Sequence, residues 1–124
     1  MSTYDEIAER YIATWNEPDP ERRRVLVGEL YGPDARYSDP MVVADGRDEI
    51  AATIGAVRAQ FPGMAFRLAG PVDGHHAQAR FGWELAPEGG AGEAVVAGFD
   101  VAVLGDDGSV ATVLGFLDKV PETV

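Results

Sequence analysis

The chain contains no cysteine, so neither a disulfide framework nor thiolate chemistry is open to it. That absence suits a reducing compartment, and a cytoplasmic location is the expectation. Positive charge is scarce: 10 Lys and Arg stand against 21 Asp and Glu, a formal charge of −11. A chain this acidic repels phosphate backbones, so nucleic acid is not an expected partner. No apolar run approaches the roughly 18 residues that a membrane helix needs. The opening Met1-Ser2-Thr3-Tyr4-Asp5-Glu6 is acidic and lacks the basic start and apolar centre of a signal peptide. There is no Gly-rich nucleotide fingerprint, no phosphate loop and no serine in a nucleophile elbow. Two histidines and no compact ligand motif give no expected metal site, and no cofactor is implied.

What is present is apolar material, 46% of 124 residues, enough for the core of a single domain over residues 1–124. Tyr4, Ile7, Ala8, Tyr11, Ile12 and Trp15 recur at helical spacing and predict a first helix over Tyr4 to Asn16, with Thr3 and Glu6 as a capping box. Asp19-Pro20 opens a second helix that ends at Gly32-Pro33 and is expected to bury Val25, Leu26 and Leu30. Its Arg22-Arg23-Arg24 run reads as a solvated face. A short strand, Ala35 to Ser38, turns through Asp39-Pro40. A third helix runs from about Arg47 to Gln60 and buries Ile50, Ile54 and Val57.

From there the pattern has a period of two. Met64, Phe66 and Leu68 alternate with Ala65, Arg67 and Ala69, and Gly70 to Gly74 form a turn or bulge. Further strands are expected over His76 to Leu85, Ala94 to Leu104 and Ser109 to Asp118. The stretch Pro87–Gly92 reads as a hairpin loop, and Asp106-Asp107-Gly108 as a tight turn. Helices followed by long antiparallel strands argue an α+β domain, with a curved sheet around three helices closing one end and leaving a pocket at the other.

Three polar residues stand out against this apolar background. Asp100 lies mid-strand among Phe99, Val101 and Val103, where an unpaired polar group costs roughly 2–7 kcal/mol. A cavity is one way to meet that cost, and a buried pairing with Arg80 is another. Asp39, in Tyr37-Ser38-Asp39-Pro40, is either a reactive carboxylate or the cap of a turn. Tyr11 faces inward from the first helix, where its hydroxyl meets either a carbonyl or a ligand. His75 and His76 alternate in a strand, so at most one enters the pocket. Two strand faces remain open as the lining: His76, Gln78, Arg80, Gly82 and Glu84, or Ala77, Ala79, Phe81, Trp83 and Leu85.

The segments Arg10-Tyr11-Ile12, Tyr31-Gly32-Pro33-Asp34-Ala35, Ser38-Asp39-Pro40, Gly46-Arg47-Asp48-Glu49-Ile50-Ala51-Ala52, Phe99-Asp100-Val101 and Gly115-Phe116 carry a resemblance. Across Ile7 to Val120 the chain resembles the nuclear transport factor 2-like superfamily, which includes ketosteroid isomerases, SnoaL-type polyketide cyclases and limonene epoxide hydrolases. The resemblance implies a cone-shaped, mixed or antiparallel sheet wrapped around three helices. It implies cofactor-independent acid/base chemistry on a small hydrophobic carbonyl compound, as an isomerase or aldol-type cyclase. Asp39 falls where ketosteroid isomerases keep a proton-shuttling carboxylate, and Tyr11 and Asp100 where they keep oxyanion donors. Trp15, Met41, Phe61, His76, Arg80, Trp83 and Phe116 are then expected substrate-binding residues. The chain departs from the isomerases at Ile54 and Leu117, where they carry aromatic residues, and over His75-His76 and Phe81 to Glu84. The epoxide-hydrolase pattern needs an acid two residues beyond Arg80, where Gly82 stands. A non-catalytic small-molecule-binding protein of the same fold is the alternative. A homodimer is the expected assembly.

Overall fold

The computed structural model describes residues 3–90 and 92–121. Helices α1 (Thr3–Asn16), α2 (Pro20–Leu30) and α3 (Arg47–Gln60) alternate with and precede strands β1 (Tyr31–Ser38), β2 (Val43–Asp45), β3 (Met64–His75), β4 (Gln78–Pro87), β5 (Val96–Leu104) and β6 (Val110–Lys119). The strands form one open, curved six-stranded sheet in the order β2-β1-β6-β5-β4-β3, an α+β architecture as expected. All neighbours are antiparallel except β1 and β6, which run parallel. Among the described residues, no helix is long and apolar enough to cross a membrane.

The helical period of α1 buries Ile7, Ala8, Tyr11, Thr14 and Trp15 on one face. At its end Asn16 grips β3 in both directions: Nδ2 donates to the Phe66 carbonyl at 2.8 Å and Oδ1 accepts from the Phe66 amide at 2.7 Å. Thr3 already lies inside α1, so the position before the helix falls outside the described residues.

Asp19 caps α2 as predicted, accepting from the Arg22 amide, with Pro20 in the first turn. The phase of α2 differs from expectation. Its buried positions are Arg23, Val27 and Leu30, while Val25 is exposed and Leu26 half-buried. The arginine run is therefore not one solvated face. Arg23 turns inward and donates to the carbonyls of Glu17 (2.9 and 3.0 Å) and Pro18 (3.1 Å), tying down the α1–α2 link. A fork of donors on two carbonyls offsets the burial of its charge. Arg23→Ala should destabilise the chain by about 2 kcal/mol in urea unfolding, through lost packing and unpaired carbonyls. A change below about 0.5 kcal/mol, the range of ordinary surface substitutions, would show the link to be ornamental.

The first strand is longer than expected, starting at Tyr31 and running through Gly32-Pro33. Pro33 has a fixed φ compatible with extended chain, and α2 ends on Tyr31 in an extended conformation. The price is an irregularity in the β1–β6 register between Tyr31 and Arg36. Strand β2, unforeseen in the connection after Asp39, pairs with Arg36–Ser38. Strand β3 runs on to His75, and of the turn or bulge expected over Gly70 to Gly74 it is the bulge that forms, as a shift in register between Ala69 and Asp73. The core is continuous from Tyr11 and Trp15 through Ile50 and Ile54 to Phe81 and Val113.

Candidate functional site

Strand alternation places Val96, Gly98, Asp100 and Ala102 of β5 on the inner face of the sheet. Asp100 pairs with Phe81 of β4 and Gly115 of β6, and is 2% exposed. Gly115 makes room for it: a Cβ built there would stand 2.8 Å from Asp100 Oδ1 and 3.3 Å from Asp39 Cβ. The two carboxylic residues thus converge over one glycine. From the helical side, the Tyr11 hydroxyl donates to Asp100 Oδ2 at 2.6 Å.

Burial is the main cause of a rise in the Asp100 pKa, from 3.8 to about 6. The hydrogen bond from Tyr11 and the nearby Trp83 N–H oppose that rise, and the charge of Asp39 adds to it. Burial, followed by the charge of Asp100, pushes the Tyr11 phenol well above its ordinary range, so Tyr11 stays a neutral donor. The same two causes raise Tyr37 and Tyr31. The Tyr31 hydroxyl is fully enclosed and has no hydrogen-bond partner among the described residues.

Asp39 is held differently. Its Oδ1 accepts from the amides of Met41 (2.8 Å) and Val42 (3.0 Å), and its Oδ2 from the Tyr37 hydroxyl (2.6 Å). It is a turn-forming aspartate and a cavity-wall aspartate at once, so the two readings of its sequence position are compatible.

These residues line a cavity of about 670 Å³. Tyr11, Asp39 and Asp100 meet there, together with Trp15, Met41, Phe61, Trp83 and Phe116 from the expected binding set. Met41 stands at the rim, 81% exposed. The side chains of α3 that face the cavity, among them Thr53, Val57 and Gln60, carry no charge. Among the described residues, no Lys, Arg or His lies in the lining, and its ionisable carboxyl groups are those of Asp39 and Asp100.

His76 and Arg80 are outside that lining. His76 falls in the turn before β4 with φ of 52°, its carbonyl accepting from Tyr4 and its ring against His75. Arg80 is on the outer face of β4, exposed and 3.7 Å from Asp73. The face that enters the cone carries Ala79, Phe81, Trp83 and Leu85. A buried Arg80–Asp100 pair is therefore not formed, and neither is an arginine-centred hydrolase site. Sequence reading passed over Tyr37 as a site residue, although its place two before Asp39 set it on the same strand face. Among the described residues, no group of three or more His, Asp or Glu is placed to hold a metal ion.

A model described as the SnoaL-like domain matches residues 8–113. The structure is similar to that of a presumptive isomerase of the SnoaL-like family from Agrobacterium tumefaciens, with 45% identity, TM-score 0.89, and coverage of 95% of this chain and 99% of that one. A presumptive SnoaL-like polyketide cyclase from a Jannaschia species shares the fold at 16% identity and TM-score 0.70, over 95% and 89% of the two chains. A SnoaL-like protein of unknown function from Burkholderia thailandensis does so at 15% identity and TM-score 0.72, over 93% and 94%. None of the curated proteins compared with the chain matches it.

Proposed function

Because the chain belongs to the SnoaL-like family, we propose that its cavity moves a proton, without a cofactor, on a small uncharged hydrophobic carbonyl compound, as an isomerase or aldol-type cyclase. The observation that carries this reading is the buried Tyr11–Asp100 hydrogen bond beside Asp39 in a largely apolar cavity. Taking a proton from the carbon next to a carbonyl makes an enolate. Its oxygen needs fixed donors in a site where water does not compete. Neutral Asp100, itself hydrogen-bonded by Tyr11, supplies such a donor. Asp39 takes the proton from one carbon and returns it to another, or to the aldol oxygen. A lining that has, among the described residues, two carboxylic side chains and no cationic one disfavours anionic substrates.

The cytoplasmic setting and the homodimer belong to the same proposal. Phe99 stacks on Phe116 at 4.9 Å beside exposed Leu114, which gives a second copy an apolar surface to cover.

The test is a panel of enolisable ketones assayed from about pH 5 to 8. With neutral Asp100 as donor, kcat/KM should be highest below about 6 and fall roughly 100-fold by pH 8, following the acid form of one group. A rate that instead climbs through pH 6 would make Asp100 the base. Tight binding with no turnover at any pH would leave a binding protein, the reading in which the cavity alone matters.

A further inference from the structure

Asp100 has a neighbour on β4 besides its direct partner Phe81. Trp83 lies opposite Gly98, one diagonal step from Asp100 on the same inner face. A Cβ built on Gly98 would meet Trp83 Cζ2 at 3.0 Å, so the indole lies against bare backbone at that point. In an indole, Cζ2 and Nε1 are bonded to the same ring carbon, so the N–H edge is the edge held over Gly98. That N–H is buried and has no hydrogen-bond partner of good geometry among the described residues. It is nonetheless near enough to act on Asp100, opposing the effect of burial in the same sense as Tyr11.

We propose that Trp83 is a positioning residue whose indole N–H is the second donor to Asp100, completing with Tyr11 the pair that fixes this carboxyl in the cavity, and that Gly98 is the clearance that lets the indole reach it. A buried donor left unpaired is costly, and a buried carboxyl with acceptor capacity beyond its bond from Tyr11 lies one diagonal step away. A small tilt of the ring satisfies both. The groups that face Asp100 are Tyr11 from α1, Tyr31 and Tyr37 from β1, Asp39 beyond β1 and Trp83 from β4. Of these, Tyr11 and Trp83 hold its charged form, whereas Asp39 and burial disfavour it. The inference builds on the role given to Asp100 above, yet it is read in the protein without substrate.

The experiment is an NMR titration of the whole chain, following the Trp83 indole N–H and the Asp100 carboxyl carbon together. In the parent protein the Trp83 resonance should move with the midpoint of Asp100, and Asp100→Asn should abolish that movement. Trp83→Phe should raise the Asp100 midpoint by about half a unit or more, since a donor to the charged form is lost. It should also carry the pH profile of any activity upward by the same amount, whereas a merely structural loss lowers the profile without moving it. An indole resonance that stays flat across the Asp100 titration would overturn the proposal, and that readout needs no substitution at Trp83. So would an unchanged midpoint in folded Trp83→Phe. If the indole follows Asp100 but no ketone is turned over, the assignment of Trp83 stands and the catalytic reading falls.

Discussion

Replacing Asp100 by asparagine should slow turnover by about 10²–10³-fold, the scale of one lost oxyanion donor, and at the same time make the protein more stable near pH 8. The two effects have one origin. The Asp100 pKa rises on folding from 3.8 to about 6, so the folded chain binds this proton more tightly than the unfolded chain does. Its favourable contribution is complete below the unfolded value and is lost as pH rises through the folded one. A gap of about two units corresponds to roughly 3 kcal/mol by pH 8, as an order of magnitude. At 2% exposure, little of that is screened by solvent. Asparagine keeps an acceptor for the Tyr11 hydroxyl and cannot ionise. Urea unfolding of the two proteins should therefore show the variant ahead by about 1–3 kcal/mol at pH 8 and nearly level with its parent only at about pH 3.5, below the unfolded pKa. A variant less stable than its parent at pH 8 would mean that the charged carboxylate is welcome in the cavity, contrary to the oxyanion role. Stability given up for a reactive group is a general feature of active sites.

Asp39→Asn should lower kcat by about 10²–10⁴-fold while leaving KM within about threefold, the signature of a lost proton carrier. The fold should hold, because an amide oxygen can still accept from the Met41 and Val42 amides that shape the turn. Tyr37→Phe is the companion variant. It frees Oδ2 of Asp39 from a 2.6 Å hydrogen bond without removing the carboxylate, and should retain most of the activity. Steady-state kinetics on both decide the matter. Asp39→Asn at near-parental rate would move the base to Asp100.

Much of this site was legible in the sequence, for physical reasons that can be named. The spacing of Tyr11 in α1 and of Asp100 among the apolar residues of β5 fixed the direction of each side chain, because helices and strands repeat with periods of 3.6 and 2. Helix α3 matched its predicted bounds since Ile50 and Ile54 pack at helical spacing and Pro62-Gly63 stop the pattern. Helix α2 was misphased because an arginine took an inward position that a hydrophobicity pattern assigns to an apolar residue. What rewards Arg23 is a pair of carbonyls at the α1–α2 link, and those exist only once the chain has folded. The orientation of β4 was undecided because His76 and Arg80 alternate with equally plausible residues. The turn at His76 and the pairing of Arg80 with Asp73 are tertiary facts. The double role of Asp39 was likewise hidden, since a turn-capping aspartate and a cavity aspartate leave the same mark in a sequence.

The position of β6 between β1 and β5 bears on when the site comes into being. Tyr11, Asp39 and Asp100 are all present once the chain has been made as far as β5, but no backbone pairing then links the strand that leads into Asp39 with the strand that carries Asp100. Gly115 of β6 is the residue over which they meet, and Ser38, paired with Val43 of β2 on one side, finds its partner on the other side only at Leu114. Closing so long a loop is slow relative to forming local hairpins. On the ribosome, β3, β4 and β5 can zip together in order of synthesis, while β1 waits with its inner edge open until β6 emerges. The meeting of Asp39 with Asp100 is therefore withheld from the growing chain until β6 has been made.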